Sequence, residues 1–587
     1  MTENQHTSDS RHHLAIWCRA EVFTFGALTT PPPPDITPAS LKSIVKYMKK
    51  SNTAGYPKMN YMLWRHIACS KLHMSEELAW MYFETYGMLT NISAQRRIQT
   101  DIQMAKANGT PEIERLKDSR KVDSLAFILL LFLQSFHQID LKSTLSRDEW
   151  PNRKRNSDLD ARKNRIYDEQ SHQLFIQAHL DDLLNIVSET SESNNNENVQ
   201  SATLSMEAVT ALSYIFEGTL HDSLRKIVPL HIIIQNQSIQ HEIGINKSIV
   251  PFKNLSNLIR RSLIANPFQV GQTMKRGTLL PLPFNNPTHE QRSGRVLCNS
   301  NFADEAHRFV LMTMINRSLS DQQSSDITNA EFRIHRCSYS YIYILAPLRC
   351  VEVRKCHNQS SDITNAEFRI HRCSYSYIYI LAPLRCVEVR KCHNVTIVLG
   401  AVETTLKVTD CENVSISAVC RRLLISQCRS SSFYIHTSTR PLIQLNCASL
   451  LFAPYNASHV ELLEQMEHAG LCKELNLWNK PLVTHPAGYV DEQPWSLLPP
   501  DDFYPISSIR LEDQQTDGLI PLPSEYQSAI DKRQKSISSL ANEITAAQLN
   551  SEQRQRFQRF VVSNFEAWLD ATGNAKILNH LSSLQQQ

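Results

Sequence analysis

Seven cysteines in the middle of the chain, Cys337, Cys356, Cys373, Cys392, Cys411, Cys428 and Cys447, follow one another at steps near eighteen residues. Such a column of thiols invites a zinc reading, but structural zinc sites draw on close pairs of the C-x2-C kind. Here each step supplies one thiol, and the expected role is an inert stacked ladder, because a reduced cysteine is a small apolar residue suited to a tight corner. The carboxylates Glu352, Glu388, Asp410 and Glu412 in the same region could attack a glycosidic bond only if two converged on one face. They fall at scattered strand and corner positions and are expected as solvated surface charges. His335, His357, His371 and His393 are likewise expected at the surface. With 14 glycines in all, the chain shows no Gly-rich phosphate loop, no P-loop or kinase signature and no H-E-x-x-H, so no metal or cofactor is predicted.

The step itself names the element that positions these residues. Eighteen residues is about one coil of a parallel β-helix, and several of the cysteines follow an apolar, any, apolar triplet: Phe332 and Ile334, Val351 and Val353, Leu406 and Val408, Leu423 and Ile425. Each triplet reads as a strand with one buried face. Alternation resumes after Cys392 with Val395, Ile397 and Leu399, and after Cys411 with Val414, Ile416 and Ala418, which predicts at least two strands per coil. A coil cannot bury its inner face alone, so stacking stabilises it. The spacing thus predicts a parallel β-solenoid from about Ala330 to Tyr455. Within it, Gln323 to Asn358 recurs without a change at Gln359 to Asn394. Identity at surface positions too points to a very recent in-frame duplication or to an error in the gene model; the unit spans two coils, and inserting whole coils would lengthen the stack without breaking its register.

Around the solenoid the reading is helical. Apolar residues recur at three- and four-residue steps from Leu41 to Leu89, with Ser75 placed to cap a helix carrying Leu78, Trp80, Tyr82 and Phe83. Trp17 to Gly26 reads as a short strand followed by a proline linker, and Val122 to Phe136 as a buried apolar helix; Arg153 to Arg165 reads as solvated, a further helix starts near Gln173, and Glu207 to Leu220 resumes a helical pattern. Ser188 to Ser201 is too polar to offset its ordering entropy. The predicted division is a mainly α-helical region over 1–187, a low-complexity loop over 188–205, a mixed helical region over 206–300, a β-helix over 301–460, an irregular linker over 461–523 and a helical segment over 524–587. In that last segment Phe560, Val561, Phe565 and Trp568 are expected as the buried face of a helical hairpin.

Composition bounds what such a chain can do. Its 587 residues are too many for one core and suggest several units. Sixty-one basic against 58 acidic residues give a net charge of +3, too weak a field to draw the chain to nucleic acid or anionic lipid. Protein partners chosen by shape are therefore expected. The first sixteen residues hold no apolar h-region, and the longest apolar run, Leu125 to Leu133, is about half of what a helix needs to span a bilayer. An intracellular protein with reduced thiols and no transmembrane segment is predicted.

The segments Val419 to Cys428 (VCRRLLISQC), His436 to Arg440 (HTSTR) and Phe452 to Tyr455 (FAPY) resemble the tubulin-binding cofactor C domain, also called C-CAP/cofactor C-like. Leu63 to Leu72, Leu78 to Glu84, Arg225 to His231 and Asn266 to Phe268, with Trp17, Tyr56 and Pro57, extend the likeness to the N-terminal half. The resemblance implies a right-handed β-helix; the duplication departs from the single copy of the family. It also implies a place to look for catalysis, since catalytic relatives use an outward arginine in a C-Q-Q-L-R-like strand as a finger on the nucleotide of a GTPase. The similar strand here reads Cys420, Arg421, Arg422, Leu423, Leu424. Alternation points Leu423 and Ile425 inward, so Leu424 holds the finger position, and Arg422 lies one pleat away, about 6.5 Å. A leucine cannot neutralise the charge that develops in phosphoryl transfer.

The family likeness therefore implies a non-enzymatic cytoskeletal adaptor linked to centrosome and Golgi positioning, cell shape and migration. Its implied location is the cytoplasm, the centrosome and the spindle pole, and its implied partners are centrosomal proteins, tubulin or ARF-like small GTPases. The alternative is a GTPase-activating protein for tubulin or ARF-like GTPases in which Arg422 or Arg421 replaces the finger.

Overall fold

The computed structural model describes residues 14–26, 28, 36–50, 55–90, 92–136, 164–189, 202–219, 228–245, 249–264, 309–312, 332–335, 341–344, 367–381, 383–444, 446–457, 459, 462–484, 493–506 and 520–571. The N-terminal half is helical: α1 Ala20–Thr24, α2 Pro38–Lys50, α3 Tyr61–Lys71, α4 Glu76–Leu89, α5 Ala94–Lys106, α6 Thr110–Asp118, α7 Ser124–Phe136 and α8 Asn164–Val187. At the centre lies α7, whose run from Leu125 to Leu133 is buried on every side, as a helix apolar all round must be. The polar residue that ends this run, Gln134, accepts a hydrogen bond from Leu28 N at 3.2 Å and donates to Gly26 O, so it is buried without an orphaned amide. Ser75 caps α4 by accepting from Leu78 N at 3.2 Å, and Trp64 of α3 donates to Ala79 O at 2.9 Å, tying α3 to α4.

Two short segments depart from the sequence expectation. The strand is Ala15–Cys18, so only the first two residues of the Trp17 to Gly26 segment belong to it, and the chain then turns into α1. A window this short fits both periods, and the burial of Val22, Phe23 and Phe25 settles it as helix. Likewise the helical pattern from Glu207 stops at Leu212, and Phe216–Thr219 pairs antiparallel with Ala15–Cys18. Gly218 allows that close approach: a Cβ there would stand 2.3 Å from Ala15 O. The helix predicted near Gln173 begins earlier, at Asn164. The proline run Pro31 to Pro34, most of Arg153 to Arg165 and the polar stretch 190–201 lie outside the described residues.

The second unit is the solenoid. Strand Glu367–His371 pairs in parallel with Cys386–Arg390, that with His393–Thr409, and that with Glu412–Ser426. A second column runs through Ser374–Ile380, His393–Thr409, Glu412–Ser426, Arg429–Thr437 and Ala448–Pro454. Inward apolar side chains from successive coils, among them Val389, Ile397, Leu406, Ile416, Ile425 and Phe433, form one core. The segment 461–523 is not the irregular linker expected: it carries the helix Leu462–His468, and its strands Leu482–Val483 and Trp495–Leu497 continue the two columns.

Each described coil turns at a cysteine. Cys373, Cys392, Cys411, Cys428 and Cys447 are buried and occupy equivalent places; Cys337 and Cys356 lie outside the described residues. The residue before each cysteine (Arg372, Lys391, Asp410, Gln427, Asn446) and the second after it (Tyr375, Asn394, Asn413, Ser430, Ser449) has a left-handed backbone, with φ between 48 and 58°. Each costs a non-glycine residue roughly 1–2 kcal/mol. The strain is offset along the stack, where the residue after one cysteine donates to the carbonyl of the cysteine below: His393 N to Cys373 O, Glu412 N to Cys392 O and Arg429 N to Cys411 O, each 3.0 Å. Asn413 also donates to Asn394 Oδ1.

The duplicated copies meet in an unexpected register. Phe332–His335 pairs with 368–371, and Tyr341–Ile344 with 377–380, so that identical residues of the two copies lie side by side. Among the described residues the first copy thus supplies one rung where two coils were expected. The sequence offers the reason: after Cys356 the chain reads Gln359, Ser360, Ser361, Asp362, whereas after Cys392 it reads Val395, Thr396, Ile397, Val398. The copy junction lacks the inward aliphatics that a rung must bury.

Candidate functional site

The finger-like strand lies within Glu412–Ser426. Its cross-rung partners form a column, Arg369 beside Glu388, Glu388 beside Lys407, Lys407 beside Leu424 and Leu424 beside Leu442. Leu423 and Ile425 point into the solenoid core, while Leu424 and Leu442 point out of it and join the core of the helical region. Leu424 is only 1% exposed. The outward face is therefore the seat of the N-terminal helices.

The basic residues on this face are held by those helices. Arg422, 1% exposed, forms an ion pair with Glu84 and donates to Thr85 Oγ1, both on α4. Arg421 pairs with Asp101 of α5 at 3.1 Å and donates to Gly470 O. Glu403 is clamped between Arg97 of α5, at 2.8 Å, and Arg385 of the solenoid, at 3.3 Å. Arg385 also pairs with Glu21 of α1 at 3.1 Å, and Lys407 Nζ donates to Thr24 O at 2.7 Å. A nucleotide could not reach Arg421, Arg422 or Leu424 while these contacts hold.

Burial and pairing pull the charges of this seam in opposite directions. Burial lowers the Arg422 pKa against the pull of Glu84. Burial likewise pushes Arg97 down to about 10, with the guanidiniums of Arg421 and Arg385 adding to the effect and Glu403 opposing it. For Arg385 burial is outweighed by Glu21 and Glu403, and its pKa rises. Glu21 is held below the ordinary carboxylate range: burial acts to raise it, but Arg385 and Arg19 prevail.

Two of the sequence expectations change here. Arg422, expected outward and near a finger position, does face away from the solenoid but is enclosed by α4. Glu388, expected as a solvated charge, is buried against Arg369 at 3.6 Å and His371 at 3.5 Å. Burial would raise its pKa, yet His371, Arg369 and Lys407 hold it well below the carboxylate range. A carboxylate lowered on folding stabilises the native state above its unfolded value, and that contribution is lost as pH falls through the folded value. Glu388→Gln should thus lower the melting temperature at neutral pH and narrow its gap to wild type in acid, as a thermal melt series would read. His371 is partly covered, and His393 is exposed beside Glu412 at 3.9 Å; His335, His357 and Glu352 fall among residues whose side chains are not described. Among the described residues no group of His, Cys, Asp or Glu could hold a metal ion, and no helix is long and apolar enough to cross a membrane.

Sequence reasoning missed Glu84, Arg97, Asp101, Arg385 and Glu403. One signal was present: Arg97 and Asp101 lie four apart, on one face of α5, and are the buried residues of that helix. Beside the seam an open groove of about 1540 Å³ runs between α4, α6 and the solenoid edge at Ser438 to Arg440. On its wall Lys117 and Arg120 both stand over the Trp80 ring, 5.2 Å from its centre.

Residues 365–482 match the family described as Tubulin binding cofactor C. Over nearly its whole length the chain is similar to TBCC domain-containing protein 1 of Mus musculus, with 33% identity over 580 residues, 97% of this chain and 98% of the relative. The protein of the same name from Homo sapiens is 32% identical over 579 residues, 97% of each chain, and that from Xenopus tropicalis 31% over 586, 98% of this chain and 100% of the relative.

Proposed function

We propose that this chain, which belongs to the TBCC domain-containing protein 1 family, works as a non-enzymatic cytoskeletal adaptor. The observation that carries the reading is the enclosure of the finger-like strand: Leu424, at the position that the family likeness implies for the finger, is buried, and Arg421 and Arg422 are engaged by Asp101 and Glu84 of the same chain. Arginine fingers must enter a partner's nucleotide site and contribute about 10³- to 10⁵-fold in rate. A guanidinium that already neutralises a carboxylate of its own chain has neither the freedom nor the net charge for this.

In this reading the solenoid's outward face holds the helical region in place, and the partner docks in the groove between α4, α6 and Arg440. That groove mixes aromatic surface at Trp80 with fixed charges of both signs, a composition suited to a protein surface. The description of the matching family, Tubulin binding cofactor C, favours tubulin or a tubulin-associated protein as that partner. Work at the centrosome and spindle pole, with effects on Golgi position, cell shape and migration, belongs to the same proposal.

Single-turnover GTP hydrolysis by tubulin or an ARF-like GTPase tests the reading. No acceleration is expected from the wild-type chain or from Arg422→Ala. Acceleration by wild type that disappears in Arg422→Ala would replace the adaptor with a GTPase-activating protein. A tagged full-length chain is expected to concentrate at the centrosome, and uniformly diffuse signal would count against that location.

A further inference from the structure

The C-terminal helices Ser524–Ala546 and Ser551–Ala571 form where the sequence predicts them, but the expected hairpin burial does not occur. The first helix is anchored at its start, where Tyr526 is buried and donates to Leu498 O, and Arg533 donates to Phe503 O and Asp501 O. Beyond that point both helices stand in solvent. Ile537 and Leu540 of the first are 56% and 55% exposed; Phe557, Phe560, Val561, Phe565 and Trp568 of the second are 38%, 65%, 48%, 53% and 53% exposed.

The second helix has the pattern of a seam. Phe557, Val561, Asn564 and Trp568 recur at steps of four, three and four, the spacing of a and d positions in a coiled coil, with Phe560 and Phe565 at its flanks. Its charges are divided by end. The first half, Ser551 to Phe560, carries Arg554, Arg556 and Arg559 against Glu552, and Glu552 is taken by Arg556 at 2.6 Å. The second half carries Glu566 and Asp570 and no base. A helix that is basic at one end and acidic at the other is complementary to its own copy when the two run antiparallel, and the opposed helix dipoles favour the same arrangement.

We propose that Ser551–Ala571 pairs antiparallel with the same helix of a second copy of this chain, Phe557 lying opposite the partner's Trp568 and Val561 opposite the partner's Asn564. Aromatic side chains that each bury about 150–250 Å² when covered, here half exposed, give on the order of 500 Å² per helix. Two copies bury about twice that, near the lower bound for a specific interface, so the association depends on concentration. The pairing would make the adaptor bivalent, presenting two solenoids at the ends of one helical bridge.

Sedimentation of the full-length chain, dilute and concentrated, tests this. The expected result is a doubling of mass on concentration, abolished in the double variant Phe560→Asp, Phe565→Asp, whose thermal unfolding matches wild type because both residues lie on an exposed helix. Orientation is read by mixing a Val561→Cys chain with an Asn564→Cys chain, oxidising mildly and mapping the products by mass spectrometry. A 561–564 link between unlike chains is expected. A monomer at every concentration, a dimer that survives the aspartates, or a dominant 561–561 link would each overturn the proposal.

Discussion

Glu403→Ala is expected to cost about 3–5 kcal/mol, the range for breaking a buried ion pair from one side. Glu403 is 7% exposed and holds two guanidiniums, Arg97 from α5 and Arg385 from the solenoid. Without it Arg385 keeps Glu21, but Arg97 is left with the carbonyls of Met88 and Thr90 and no countercharge. The loss should therefore appear first in the attachment of α5. Denaturant unfolding followed by tryptophan fluorescence should show a lower midpoint for the transition of the helical region, in which Trp17 and Trp64 are buried. Glu412→Ala is the control: it stands 66% exposed beside His393, and a change within about 0.5 kcal/mol is expected there.

Leu424→Arg has a comparable expected effect through a different cause. The substitution inserts a charge among Leu442, Cys386 and the helical core, where Leu424 is 1% exposed. A guanidinium at that position finds no carboxylate on either neighbouring rung, since Lys407 and Leu442 flank it. Burying an unpaired charge and overfilling a packed site are both destabilising, and a combined loss of about 3 kcal/mol or more is expected. Limited proteolysis should then cut α4 and α5 readily while the solenoid strands stay protected. An arginine at the position of Leu424 would thus be exposed to a partner only by displacing the chain's own helices, and any GTPase stimulation by that variant would accompany their release.

The step of the cysteines and the alternation around them made the coil legible, because a solenoid repeats the same local demand at every turn. The same alternation assigned Leu423 and Ile425 to the inside and Leu424 to the outside, which is where the side chains lie. What covers the outside was not legible. Arg422 and Glu84 are 338 residues apart and Arg421 and Asp101 are 320 apart, and no periodicity links positions so distant. Glu388 shows the same limit, since a lone carboxylate reads as solvated until Arg369, one rung away, is known to be its neighbour. At the C-terminus the helical period was readable, but period fixes which residues share a face and says nothing of what the face meets. The copy junction failed for a different reason: the cysteine spacing survives it, whereas the aliphatics that follow the cysteine do not.

A double-mutant cycle on Arg422 and Glu84, using Arg422→Met and Glu84→Gln and their combination in denaturant unfolding, tests most directly whether the helical region closes over the finger-like strand. A coupling of about 1.5 kcal/mol or more is expected for two groups in buried contact, and additivity within about 0.5 kcal/mol would place them apart and leave the strand open to a partner.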